Sequence, residues 1–79
     1  MEYMILFYTH SGAIKFQRKC KKENIPCELM PVPRILSSNC SISAKVTLEG
    51  DIANILDNEI EKIFAFKAGE YLLIYAGEL

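Results

Sequence analysis

Tyr3-Met4-Ile5-Leu6-Phe7-Tyr8, followed at once by Thr9-His10-Ser11-Gly12, sets the architecture of this chain. Six successive apolar or aromatic residues without a breaker predict a central strand covered on at least one face. The polar turn ends that strand, and Thr9 or Ser11 can cap a helix behind it. In that helix Ala13, Phe16 and Cys20 fall at i, i+3 and i+7, one buried stripe with the lysines outside it. Asn24-Ile25-Pro26 stops it, because asparagine tolerates the end of a helix and proline cannot continue one.

Working outward, Cys27-Glu28-Leu29-Met30-Pro31-Val32 reads as a second strand. Its prolines lack donors, which places it at a sheet edge or brings it to its own end. Ser41-Ile42-Ser43-Ala44-Lys45-Val46-Thr47-Leu48 alternates as a third strand, and Glu49-Gly50-Asp51 is a turn and cap. Ile52, Ile55, Leu56 and Ile60 have helical spacing and predict a second helix. Ile63-Phe64-Ala65-Phe66, Lys67-Ala68-Gly69-Glu70 and Tyr71-Leu72-Leu73-Ile74-Tyr75 read as a hairpin with a glycine-containing turn. The order β-α-β-β-α-β, with an extra C-terminal strand, suits a ferredoxin-like α+β sandwich over residues 1–79 as a single domain. Two helices would cover one face of an antiparallel sheet.

Composition excludes several classes. Apolar residues make up 51% of the 79, and charged ones 24%, which fits a globular chain rather than a disordered one. No apolar run approaches the ~20 residues that span a bilayer, so a membrane role is not expected. The N-terminus lacks the basic-then-apolar order of a secretory signal, and a cytoplasmic location is the default expectation. Three cysteines without close pairing make neither a disulfide framework nor a zinc site, and no ligand cluster implies a bound cofactor.

Charge is uneven. Residues 1–45 hold seven Lys or Arg against three Asp or Glu; residues 46–79 hold two against seven. Lys15, Arg18, Lys19, Lys21 and Lys22 crowd one segment, and Asp51, Asp57, Glu59 and Glu61 another. Two amphipathic helices with solvated faces of opposite sign account for this, and a basic helix can also steer acidic partners. Nucleic acid is not an expected partner, since the chain is slightly acidic and no aromatics interleave the basic run.

The chemistry-bearing stretch is Pro31-Val32-Pro33-Arg34-Ile35-Leu36-Ser37-Ser38-Asn39-Cys40. It is a loop holding an arginine, two hydroxyls, an amide and a thiol, and loops on a rigid scaffold present polar groups to partners. In the expected topology this loop and the Thr9-His10-Ser11 turn share one edge of the sheet. Cys40 then starts close to where the first strand ends, beside the N-terminus of the first helix and near Arg34. That setting favours a thiolate, the form that attacks and carries sulfur. Ser37, Ser38 and Asn39 could donate hydrogen bonds to an anion, and His10 could give or take a proton. Cys20, on the buried helical stripe, and Cys27, alternating with Leu29, read as structural.

The run Pro-Val-Pro-Arg, then Leu-Ser-Ser, then Cys at the start of a strand resembles the hallmark of the selenium/sulfur (Se/S) carrier protein-like family. These are short bacterial and archaeal proteins of about this length. The resemblance covers roughly residues 1–60 and puts Pro31, Pro33, Arg34, Ser37, Ser38 and Cys40 on the family's hallmark loop. One departure stands out: the family usually follows its cysteine with glycine, and here Ser41 holds that place. The resemblance implies a non-catalytic carrier without a cofactor. Cys40 would take a sulfur or selenium atom from a donor protein and pass it to an acceptor. The alternative is a small homo-oligomeric interaction module without thiol chemistry, most simply a homodimer through the apolar C-terminal strands. An enzyme is the weakest reading, because a catalytic thiol wants a positioned base and His10 is the only histidine.

Overall fold

A computed structural model of the chain describes residues 1–36, 38 and 40–77. The elements run β1 (Glu2–Phe7), α1 (His10–Lys22), β2 (Cys27–Pro31), β3 (Ile42–Thr47), a 3-10 helix (Ile52–Ile55), β4 (Ile60–Lys67) and β5 (Glu70–Ala76). One five-stranded sheet has the order β2-β3-β1-β4-β5, and every neighbouring pair is antiparallel. The apolar opening run is central, as its lack of polar positions requires: Met4, Ile5, Leu6 and Phe7 are all buried. β2 is an edge strand and Pro31 is its last residue, so its missing donor interrupts no ladder.

Helix α1 forms where the turn and stripe predict it. Thr9 is the N-cap, and its hydroxyl accepts from the Gly12 amide at 3.0 Å. The helix lays Ala13, Phe16 and Cys20 on the sheet against Tyr3, Ile5, Phe7, Ala44, Val46, Ile63 and Ala65. Phe7 and Phe16 stack at the centre with ring centroids 5.3 Å apart. Lys19, Lys21 and Lys22 occupy the last turn, where cations suit the helix dipole.

The two-helix ferredoxin-like layout is corrected at the second crossover. The expected helix over Ile52, Ile55, Leu56 and Ile60 is a 3-10 turn of four residues, Ile52–Ile55, so the sheet carries one helix. The chemistry of the segment explains this. Asp51 caps the turn by accepting from the Ala53 amide at 3.0 Å, but Asp57 then accepts from the Glu59 amide at 2.9 Å. That second side-chain bond offers the backbone a turn where a helix would need its own ladder. Asn54, Asp57 and Asn58 are also poor helix formers. Ile60, the last position of the expected stripe, instead starts β4 and enters the core.

The oppositely charged segments meet within the chain. Lys19 Nζ donates to the Ile55 carbonyl at 3.3 Å and lies 3.8 Å from the Asp57 carboxylate. The acidic run therefore packs beside the basic helix rather than forming a second amphipathic one.

The C-terminal hairpin turns through Ala68 (φ 53°) and Gly69 (φ 78°), two left-handed residues that suit the twist of a tight hairpin. Two register shifts matter. Leu6 pairs with Lys62 but Phe7 with Ile60, which leaves Glu61 as an extra residue in β4. Ile63 pairs with Tyr75 but Phe64 with Leu73, which leaves Ile74 extra in β5. β5 is the other edge of the sheet and carries Leu72, Leu73 and Ile74 about half exposed. No helix among the described residues is long and apolar enough to cross a membrane.

Candidate functional site

The connection from β2 to β3 is pinched at its base, where the Val32 amide donates to the Ser41 carbonyl at 3.2 Å. Between these two residues the chain makes an excursion. A turn that starts at Pro33 is closed by the Leu36 amide on the Pro33 carbonyl at 2.9 Å, with Arg34 and Ile35 at its centre. Arg34 sits on this turn, exposed, and among the described residues it takes no part in an ion pair. Ile35 is the most exposed large apolar residue described, at 80%. Ile35 and Leu36 line a shallow groove with Phe64 and Tyr71 of β4 and β5. By strand alternation Phe64, paired with Met4, lies on the sheet face opposite α1. The loop thus reaches over that second face, where Met4, Leu6 and Ser43 are buried outside the helix-side core.

Cys40 is buried, with only 4% of its surface exposed. Its amide donates to Ser38 Oγ at 3.2 Å. The Ser38 hydroxyl in turn lies 2.6 Å from Glu61 Oε1 and 3.3 Å from the Phe7 carbonyl. A hydroxyl has one proton, and the short contact to a carboxylate takes it. Ser38 is therefore a latch: it ties the loop to β1 and β4 and is fully occupied in doing so. It does not offer its proton to the neighbouring thiol. Glu61 reaches it because it is the extra residue of β4; a bulge re-aims the side chain that regular alternation would have placed otherwise.

His10, the first residue of α1, is exposed, and its Nε2 lies 3.0 Å from Ser41 Oγ. The Thr9-His10-Ser11 turn and the 33–40 loop do meet at one edge, through this contact and through Ser38 on Phe7. Ser41, where the resemblance leads one to expect glycine, is not among the residues with positive φ, which are Asn24, Ala68 and Gly69. Its backbone is ordinary and its hydroxyl is used by His10, so the replacement costs no strain. Ser37 and Asn39 lie outside the described residues.

Sequence reasoning missed one feature. Glu61, taken as one member of an acidic run, anchors the loop; no residue pattern marks a bulge. Cys20 and Cys27, both read as structural, lie in and against the helix-side core. Burial, together with the adjacent Cys27 sulfur, pushes Cys20 up from 9.0 to about 12, and burial also raises Cys27. The sign of the consequence is fixed. An unfolded Cys20 loses its proton near pH 9 and a folded one near 12, so its contribution to stability is complete below pH 9 and lost as pH rises through that window. The limiting slope is about 1.4 kcal/mol per pH unit. Urea denaturation should show the stability gap between the wild type and Cys20→Ala narrowing by about 1 kcal/mol from pH 8 to pH 10. Equal pH slopes in the two proteins would contradict the buried, unionised thiol.

The family described as "Putative Se/S carrier protein-like" matches residues 2–66, which spans β1 to nearly the end of β4 and includes the whole 33–40 loop. Neither the curated proteins nor the solved structures give a match. The match covers most of the 79 residues, and the chain accordingly belongs to the Se/S carrier protein-like family.

Proposed function

We propose that this protein carries a sulfur or selenium atom on Cys40, and that the 33–40 loop controls access to it. The thiolate of Cys40 attacks the outer sulfur or selenium of a donor persulfide or selenenylsulfide. A new bond forms to Cys40, the donor's own bond to that atom breaks, and the donor leaves as a thiolate, so no net electrons change hands. Delivery is the same exchange run with an acceptor thiolate, Cys40 being the leaving group. No bound cofactor is needed.

The observation that carries the reading is the burial of Cys40 behind the Ser38 hydroxyl, within the stretch that matches the family. A persulfide held in such a place is shielded from stray thiols until the loop opens. Exposed Arg34 is then a docking contact for an acidic donor or acceptor, and His10, held by Ser41 at the same edge, is a group able to move a proton.

Incubating the reduced protein with a low-molecular-weight persulfide donor, followed by alkylation and intact mass spectrometry, tests this. The wild type, Cys20→Ser and Cys27→Ser are expected to gain one sulfur, and Cys40→Ser none. Equal loading of all four proteins, or loading lost only with Cys27, would overturn the assignment of the cargo to Cys40.

A further inference from the structure

The two edges of the sheet are unlike. β2 is guarded: Pro26 precedes it, Pro31 ends it and Glu28 stands exposed within it, all of which discourage a neighbouring strand. β5 has neither charge nor proline from Tyr71 to Ala76. Leu72 pairs with Ala65 and so lies on the α1 face, whereas Leu73 pairs with Phe64 and so lies on the opposite one. Both are about half exposed. A partner resting on either face would cover one of them and leave the other in water. A strand laid along the edge covers both, and it also takes up the edge's outward backbone groups.

We propose that this strand is β5 of a second copy, paired antiparallel about a two-fold axis at Leu72. The hairpin turn sets the register. Lys67 and Glu70 flank the two-residue turn of Ala68 and Gly69, and residues so placed exchange hydrogen bonds across the hairpin. By alternation Leu72 also bonds inward, to Ala65, and the backbone groups of Tyr71 and Leu73 point outward. The irregularity in β5 comes only after Leu73. Each Tyr71 then exchanges hydrogen bonds with the partner's Leu73, both on the face away from α1, and the two Leu72 side chains meet on the α1 face. The partner's Leu73 comes up beside Tyr71, in the groove that Ile35 and Leu36 also line.

Area and charge both suit a second copy. Leu72, Leu73, Ile74, Phe66 and Ile35 together leave on the order of 500 Å² of apolar surface open. A standard interface takes about 800 Å² from each partner, roughly 60% of it apolar, which is that amount. Each copy has a net charge of −1, so two copies barely repel. The pairing is independent of the carrier reading, and its test is run in reductant and repeated in Cys40→Ser so that the two fail separately.

Sedimentation velocity from about 5 to about 500 µM is the experiment, and both proteins should pass from monomer to dimer, half-dimeric at on the order of 10 µM. Leu72→Lys and Leu73→Lys, both at exposed positions, should each weaken the dimer at least about tenfold. Ile14→Lys, on the solvent side of α1, should leave it unchanged. Because residue 72 meets itself, an equal mixture of Leu72→Lys and Leu72→Glu should recover the dimer that neither forms alone. A wild type still monomeric at about 500 µM would overturn the proposal and leave the edge to a strand of an unlike protein. A dimer broken by only one of Leu72→Lys and Leu73→Lys would overturn edge pairing in favour of docking on one face. A mixture that stays monomeric would overturn the register.

Discussion

Phe16→Ala should lower the melting temperature by more than about 15 °C, on a loss of about 3–5 kcal/mol. Phe16 is completely buried, stacks on Phe7 at 5.3 Å and is the largest side chain that the helix contributes to the core. Among the described residues one full helix covers the sheet, and no second helix is there to fill the cavity. A chain of this size has roughly 4–12 kcal/mol of net stability, and the substitution takes a large share of it. Ile14→Ala, on the solvent side of the same helix, is the control and should cost under about 0.5 kcal/mol. Calorimetric scans of the two variants check this. Similar melting temperatures would mean that α1 does not hold the sheet as described.

Ser38→Ala should raise the alkylation rate at Cys40 by about tenfold with little change in global stability. The hydroxyl accepts from the Cys40 amide and donates to Glu61, with the Phe7 carbonyl at 3.3 Å. Removing it loosens the described attachments of the loop at this point and leaves a carboxylate and an amide without that partner. Losing such a set favours the open loop by about 1.5 kcal/mol, which is the tenfold. Opening lets water reach the groups that are left, so the cost falls on the closed state of the loop rather than on the fold. Glu61→Gln keeps a weaker hydrogen bond and should give a smaller rise. Peptide-level mass spectrometry after timed alkylation reads all three proteins, and an unchanged rate in Ser38→Ala would mean that the latch does not govern access.

Much of this was legible in the residues, for reasons that also show where legibility ended. Helix α1 announced itself through local chemistry: a threonine cap, an apolar stripe at helical spacing and an asparagine-proline stop. The prolines correctly marked the end of an edge strand, and Ala68-Gly69 marked the last hairpin. The second helix failed because periodicity alone was asked to overrule Asp57, whose side chain ends the helical turn, and because Ile60 was claimed by a strand. The loop was visible as a cluster of polar residues around a thiol. Its mechanics were not, since the Ser38–Glu61 bond depends on an extra residue in β4.

The most direct measurement is the alkylation rate of Cys40 in the native wild-type protein, compared with that of Cys20 in the same sample. A carrier thiol released by opening of its own loop should react well ahead of Cys20, with both following a rise in urea but only Cys20 tracking global unfolding. If Cys40 reacts no faster than Cys20 and both follow global unfolding, Cys40 is a core residue and the carrier reading is contradicted.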